Sequence, residues 1–252
     1  MKQLGAIKGS GSFDNITFKL TKHGYIMGRK SKLDKHMIET DPRFKRTREN
    51  GVLFKRGAEG GKLFRESGNP LVKYAVDGNL VPRVVKLMMQ IIKSDTTSTR
   101  ADRNLAAGDA RLMEGFDFNG NSPFAAVLGT NNTVTIDRTT GALEVIVPPF
   151  VPEKSIQKPT GATHYKIVAM GTEIDFATGS FTTGSVQQST ELPVDSEVPT
   201  VAVDLTTHVT AGSTKTILFL VGIQFFEEVN GVMYVLNNSK NNALKVVKVS
   251  AV

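Results

Sequence analysis

The sequence predicts an α+β fold in which an N-terminal β-hairpin and a basic helical region precede an antiparallel, immunoglobulin-like β-sandwich. One observation is a charge split: residues 1–105 hold 22 Lys and Arg against 10 Asp and Glu, and residues 106–252 hold 9 against 14. Another is the hydrophobic period, which is helical in much of the first part and alternates from Gly115 onwards. We therefore expect an arm with a hairpin (1–40), a basic helical region (41–115) and a sandwich domain (116–252).

The composition is that of a globular protein and excludes several kinds of chemistry. The 252 residues are 40% hydrophobic and 22% charged, and none is cysteine, so disulfides, zinc–thiolate sites, iron–sulfur clusters and thiol catalysis are excluded. The N-terminus has no apolar segment of the signal-peptide type, and no run approaches the ~20 apolar residues of a membrane span. We expect cytoplasmic synthesis without a signal peptide or membrane span, with the final site, inside the cell or outside it after release, left open.

The first 40 residues predict an arm followed by a β-hairpin. Residues 1–12 are small and glycine-rich, and we interpret them as a mobile arm because a phosphate-binding loop needs a preceding strand and a following helix. Residues 16–21 alternate between apolar and polar, and residues 25–27 return after a turn at Lys22-His23-Gly24. The basic run over 29–36 either contacts phosphates or is a solvated loop.

The basic region predicts two long helices and a shorter one. A helix over about 42–66 would place Gly57 and Gly61 on one face, which predicts either a very close neighbour or a break at these glycines. Residues 80–93 are apolar over more than half of the helix circumference, so this helix should be buried against two partners. The shorter helix is expected over about 99–113.

The remaining residues predict short antiparallel strands separated by turns. Asn230-Gly231, between two apolar runs, is typical of a two-residue hairpin turn, and we interpret Met170-Gly171 as another turn. Roughly seven to nine strands at such spacing are typical of a β-sandwich. The candidate strands are residues 133–137, 142–147, 163–169, 172–176, 180–184, 200–205, 215–226, 232–236 and 243–250.

No constellation of residues predicts catalysis, a metal site or a cofactor site. The four histidines are never three or four residues apart, so no helical metal-binding pair exists. The sequence has no Gly-x-Ser-x-Gly elbow, and the adjacent Glu227 and Glu228 would point to opposite faces of a strand. We therefore expect a protein that is not an enzyme and has no cofactor.

Four segments of the chain carry a family resemblance. They are residues 11–18 (GSFDNITF), 40–50 with Thr40-Asp41-Pro42 and Thr47-Arg48-Glu49-Asn50, 161–168 (GATHYKIV) and 225–231 (FFEEVNG). With these segments the chain resembles, over nearly its whole length, a family of uncharacterised proteins of similar size from Bacteroidetes genomes, often present in many copies. That family has no assigned activity, so the resemblance implies neither a mechanism nor catalytic residues.

Three functions remain open, of which we favour a structural, self-assembling subunit of a filament, tube or particle. The N-terminal arm and hairpin would lie on a neighbouring copy, and the opposite charges of the two parts would favour head-to-tail contacts. The terminal segment, residues 243–252, is apolar and alternating, and would receive or supply a strand at the joint. The candidate interface residues, which would otherwise be ordinary core residues, are Phe13, Ile16, Phe18 and Tyr25.

The alternative is a protein that binds nucleic acid without sequence specificity through its basic N-terminal part. Its Lys and Arg side chains would contact phosphates, although the sequence has no known nucleic-acid-binding motif. The candidate contacts to a polyanion, or to an acidic partner, are Arg29, Lys30, Lys32, Arg43, Arg46 and Arg48. A third function, binding of a small ligand by the sandwich loops, has no distinctive pocket pattern to support it.

Overall fold

The computed structural model describes residues 2, 9–30, 33–236 and 241–251. The chain forms two compact units, residues 1–51 and 52–252. The boundary between the units lies within one long helix, so each unit is described separately below.

The first unit contains a three-stranded antiparallel sheet followed by short helices. Its strands are β1 (Gly11–Phe13), β2 (Ile16–Thr21) and β3 (Gly24–Arg29), with β2 in the middle. The predicted hairpin is confirmed, whereas the last two residues of the predicted arm belong to β1 instead. Residues 1 and 3–8 of that arm lie outside the described residues. The sheet is followed by α1 (Lys35–Thr40), a 3-10 turn (Pro42–Phe44) and the start of α2 (Lys45–Ser67).

The second unit begins with three helices, namely the remainder of α2, α3 (Asn69–Val72) and α4 (Leu80–Ser94). Helix α2 continues through its glycines, so the expected break does not occur and the alternative, a very close neighbour, is confirmed. A Cβ atom added to Gly61 would lie 3.0 Å from Val84 Cγ1 of α4. The apolar residues of α4 are largely buried, as the width of its apolar arc predicts.

The predicted shorter helix over residues 99–113 is wrong. The segment consists of turns and loops with one 3-10 turn, Ala110–Met113. In this segment, backbone N–H groups donate to side chains. The N–H of Asn104 donates to the carboxylate of Asp95 at 3.3 Å, and the N–H of Ala107 donates to the side-chain oxygen of Asn104 at 3.0 Å. Such local hydrogen bonds compete with those of a helix.

The strands of the second unit form two antiparallel sheets. The elements after α4 are α5 (Phe124–Val127), β4 (Thr133–Asp137), β5 (Ala142–Val147), α6 (Pro152–Ser155), β6 (His164–Asp175), β7 (Ser180–Thr183), β8 (Gln187–Gln188), β9 (Leu192–Pro193), β10 (Val203–His208), β11 (Thr216–Val229), β12 (Val232–Val235) and β13 (Ala243–Ser250). In the smaller sheet the strand order is β10-β5-β4. In the larger sheet β11 pairs with β6, β12 and β13, while β6 also pairs with β7, β8 and β9.

Most strand predictions are confirmed, with one clear correction. Strands β4, β5 and β13 have the predicted bounds, and Asn230-Gly231 joins β11 to β12 with φ values of 53° and 77°. The predicted turn at Met170-Gly171 is wrong, because β6 runs through these residues without interruption. Glycine serves close packing instead: a Cβ atom on Gly171 would lie 2.8 Å from Val209 Cγ1 and 3.2 Å from Leu143 Cδ2.

The larger sheet of the second unit is covered on both faces. On β11, Leu218 and Leu220 belong to a core shared with α2 and α4, whereas Phe219 and Val221 belong to a core shared with the smaller sheet. Burial on both faces explains why β11 is a nearly continuous apolar run. The α+β class and the antiparallel strands are therefore confirmed, and this unit has three layers: helices, larger sheet and smaller sheet.

Candidate assembly surface

The register of the N-terminal sheet brings all four predicted interface residues to one face. Phe13 lies opposite Ile16, and Phe18 lies opposite Met27. Directly opposed residues share a face of a sheet, as do residues two apart in one strand. The apolar face, as we call it, therefore consists of Phe13, Ile16, Phe18, Leu20, Tyr25 and Met27.

Two tight turns fix which side chains share this face. Asp14 lies between β1 and β2 with a φ of 51°, a conformation that Asp adopts more readily than most residues. Between β2 and β3, the hydroxyl of Thr21 donates to the carbonyl of Gly24 at 2.9 Å and accepts from the N–H of His23 at 3.3 Å. A shift of one residue would move the apolar side chains of a strand to the other face, so the turns determine the composition of the surface.

The apolar face is exposed rather than packed in a core. Phe13 is 79% exposed, Leu20 62% and Ile16 39%, and the other three members of the face are partly buried. None of the described residues among positions 2–51 is buried. Small sheets generally need a packed apolar face for independent stability, and a contiguous exposed apolar patch marks an interaction site. The first unit therefore has an apolar surface and no core of its own among its described residues.

The opposite face of the same sheet is mainly polar. It contains Thr17, Lys19 and Thr21 of β2, and the hydroxyl of Thr17 lies 3.2 Å from that of Ser12 in β1. Ile26 of β3 also lies on this face, opposite Lys19. The sheet is thus amphipathic, and the alternation in β2 that identifies Ile16 and Phe18 also indicates Leu20, which was not among the predicted interface residues.

Two of the predicted polyanion contacts lie at the end of β3. Arg29 is opposite Ile16, at the end of the apolar face, and Lys30 donates its backbone N–H to the carbonyl of Asn15 at 2.6 Å. Both residues are exposed. A third predicted contact, Lys32, lies outside the described residues.

The other three predicted contacts take part in local structure around the start of α2. Arg43 forms an ion pair with Asp41 at 2.6 Å, and Arg46 forms one with Glu49 at 2.9 Å. Arg48 donates from Nη1 to two backbone carbonyls, at 2.7 and 3.0 Å. The hydrogen bond from the Arg43 side chain is the main cause that lowers the pKa of Asp41. A phosphate would have to compete with these partners for the same donors.

Formal charge separates the two units. Residues 1–51 hold 12 Lys and Arg against 5 Asp and Glu, and residues 52–252 hold 19 against 19. The whole net charge of +7 therefore belongs to the unit that carries the apolar face. A surface of this kind repels a like-charged copy of itself and attracts an acidic partner.

The terminal strand β13 pairs with β11 along one edge and also forms backbone hydrogen bonds on the other edge, at Leu244 and Val246. One edge pairs with β11, from Ile217↔Ser250 to Ile223↔Ala243. On the other edge, the N–H of Gly115 donates to the carbonyl of Val246 at 2.8 Å, and the N–H of Val246 donates to the carbonyl of Phe116 at 2.9 Å. Part of the second edge is thus occupied within the chain itself, and the expectation that residues 243–252 receive or supply a strand at a joint stays a prediction.

Among the described residues, no group of three or more His, Asp or Glu side chains is placed to hold a metal ion. A cavity of about 510 Å³ lies beside α2, where Glu59 and Glu66 pair with Lys55 and Lys62 at 3.9 and 3.7 Å. Pairs at this spacing are typical of a solvated helix face.

No protein-family model, no curated protein and no solved structure matches the chain. In the part of the chain that the structure describes, no helix combines the length and apolar character needed to cross a bilayer.

Proposed function

We propose that this protein is a structural subunit that assembles with copies of itself into a filament, tube or particle. The observation that supports it best is the exposed apolar face in a unit with no buried residue among those described. Burial of one large apolar side chain contributes about 1.5–3 kcal/mol. Three of the six side chains are already partly buried, so their burial contributes less than six times this value; the total is still comparable to the roughly 4–15 kcal/mol that association costs, so this face is large enough to be a main contact.

The charge distribution favours a head-to-tail arrangement of copies. Because residues 1–51 are strongly basic, two apolar faces that met each other would also bring like charges together. A contact between two different surfaces leaves one surface of each subunit free, so the pair still has one surface of each kind. Such contacts generate rings when they close and helical filaments when they do not.

The proposal also includes the arrangement of the two sheets of the second unit. We propose that its two sheets form an immunoglobulin-like sandwich, as the sequence predicts. The face-to-face packing of two antiparallel sheets around one apolar core supports this finer assignment.

The proposed function is tested by electron microscopy with light scattering on nuclease-treated protein at low and moderate salt. We expect assemblies that persist without nucleic acid in the wild type and are lost in a Phe13→Ser, Leu20→Ser double variant. The matched control is Ile26→Ser, which removes an apolar side chain from the opposite face of the same sheet and should leave assembly intact. A monodisperse wild-type monomer of 27.3 kDa at all concentrations would contradict the proposal.

A second candidate function is nucleic-acid binding without sequence specificity, which the net charge of +7 on residues 1–51 favours. Phosphate contacts release counterions, so the affinity should fall steeply between about 50 and 200 mM salt. Fluorescence anisotropy with a labelled DNA duplex measures this directly. Arg29→Glu with Lys30→Glu should then weaken binding more than Arg43→Glu, whose wild-type side chain is already paired with Asp41. Absence of binding, or affinity independent of salt, would exclude this function.

A further inference from the structure

The hairpin formed by the end of β11 and by β12 extends beyond the larger sheet. Strand β11 pairs with β6 as far as Phe226↔His164. From Glu227 onwards, the strand that it pairs with among the described residues is β12, up to the turn at Asn230-Gly231, and the N–H of Glu228 also donates to the hydroxyl of Thr163 at 2.8 Å. Residues 227–235 therefore form a two-stranded ribbon at the end of the sheet.

One face of this ribbon is apolar apart from a single carboxylate. Val229 lies opposite Val232, and Glu227 lies opposite Tyr234, so these four residues share a face that we call the acceptor face. Its three apolar side chains are between 44% and 54% exposed. The ribbon thus presents a second exposed apolar surface, distant in sequence from the first.

Strand β12 is in addition an unprotected edge of the larger sheet. Among the described residues it pairs only with β11, and its sequence, Val-Met-Tyr-Val, has neither a charge nor a proline. Natural proteins usually protect edge strands with such residues because an unprotected edge pairs readily with another chain. The edge and the acceptor face together form a surface suited to a β-structured apolar partner.

The charges of the two apolar surfaces are opposite. Residues 226–236 contain two acidic residues, Glu227 and Glu228, and no basic one. Residues 9–30, which form the N-terminal sheet, contain one acidic and four basic residues: Asp14, Lys19, Lys22, Arg29 and Lys30. Arg29 lies at the end of the apolar face, and Glu227 lies within the acceptor face. Complementary charge favours contact between the two different surfaces over contact of either with itself.

We propose that the acceptor face of one copy binds the apolar face of the next copy, with Arg29 of one beside Glu227 of the other. This inference rests on the proposed function and deepens it, because it names the surface of the second copy that receives the N-terminal sheet. The joint is heterologous, so each copy has one donor and one acceptor surface.

A complementation experiment with full-length protein tests the joint. The donor-deficient variant carries Phe13→Ser and Leu20→Ser, and the acceptor-deficient variant carries Val232→Ser and Tyr234→Ser. We expect each to be monomeric alone at a concentration about tenfold above that at which the wild type assembles, the effect expected when central apolar contacts are removed. An equimolar mixture should form one-to-one dimers that do not grow, because each dimer has one intact joint and two defective ends. Light scattering after size-exclusion chromatography measures both results.

Control variants separate the joint from folding. Met233→Ser changes the other face of the ribbon and should assemble like the wild type. All four substituted side chains of the deficient variants are exposed, so their thermal unfolding should match that of the wild type below its assembly concentration. Arg29→Glu and Glu227→Arg should each weaken assembly, and their combination should restore it.

The outcomes distinguish this inference from the proposed function. If the wild type assembles and the acceptor-deficient variant assembles equally well, or if the mixture stays monomeric, the acceptor face is wrong while self-assembly stands. If the wild type is monomeric throughout, self-assembly fails and the inference fails with it. Dimers in the mixture together with rescue by the charge exchange would support the joint.

Discussion

The two units differ in how far their apolar strands are covered by other parts of the chain. In the second unit, helices and the smaller sheet cover both faces of the larger sheet, and β11 is buried along most of its length. In the first unit, β2 alternates between apolar and polar residues, and yet no described residue of that unit is buried. The comparison teaches that an alternating pattern specifies an apolar face without specifying what covers it. In the second unit the chain supplies the cover, and in the first we assign it to a second copy.

The largest difference in stability between variants of the two units should come from replacing one glycine in each unit by alanine. A Cβ atom on Gly108 would lie 2.2 Å from the backbone oxygen of Ile91, so either α4 or the loop that contains Gly108 must move. We expect Gly108→Ala to destabilise the protein by about 2–3 kcal/mol. Gly51→Ala, with no atom within 4 Å of the added Cβ, should be neutral or stabilise α2 by up to about 1 kcal/mol. Urea unfolding followed by circular dichroism measures both, and equal effects would contradict the contrast in packing.

A smaller effect should appear in the pH dependence of stability. Asp95 is buried, and hydrogen bonds, foremost with the side chain of Ser98, lower its pKa well below the usual range. Because the folded-state pKa lies below the unfolded value of about 3.9, this stabilisation is fully present above that pH and is lost as pH falls towards the folded pKa. Asp95→Asn should therefore lower the Tm by a few degrees at pH 7, and the difference should shrink below about pH 4.

The matched variant for this pH experiment is Asp41→Asn in the first unit. The pKa of Asp41 is also lowered, chiefly by the Arg43 side chain, but that arginine is 78% exposed and solvent screens the pair. Asp41→Asn should thus change the Tm less than Asp95→Asn. Thermal melts from pH 8 to about pH 2.5 test both variants. A Tm difference for Asp95→Asn that stays constant over this range would show that its charge does not stabilise the fold.

Features of the fold that depend on a few neighbouring residues could be predicted from the sequence. The turn at Asn230-Gly231 requires positive φ at both residues, which this dipeptide permits, so its position was clear. From the sequence we interpret Gly171 as a turn, because a glycine indicates either a turn or a close approach to another residue. The positions of Val209 and Leu143, which are distant in the sequence, show that this glycine permits a close approach. The helix predicted after α4 is wrong because hydrogen bonds such as that from the N–H of Asn104 to Asp95 form only in the folded loop. The sequence pattern does not show them.

For the candidate site, too, the sequence predicts features that depend on neighbouring residues and does not predict those that depend on distant ones. Alternation and one turn suffice to place Ile16, Phe18 and Tyr25 on one face, and this part was predictable. The exposure of that face was not, because a pattern does not show whether another element covers it. Glu49, the partner of Arg46, lies three residues away on the same helix, so this ion pair could have been inferred from spacing, whereas a spacing of two does not predict the pair of Arg43 with Asp41.

Removal of residues 1–40 is the sharpest test of the comparison between the two units. It should change the Tm of the remaining chain less than any other change considered above. This deletion keeps Asp41, which accepts a hydrogen bond from the N–H of Arg43 at 2.9 Å, and it removes the sheet together with α1. Because no described residue among positions 2–40 is buried, the Tm of the remaining chain should stay within about 2 °C of the wild-type value. The wild type must be measured below its assembly concentration, since assembly would itself raise the Tm by mass action. The shortened chain should also remain monomeric where the wild type assembles. A large fall in Tm would mean that the N-terminal sheet stabilises the rest of its own chain, and the apolar face would then no longer require a second copy.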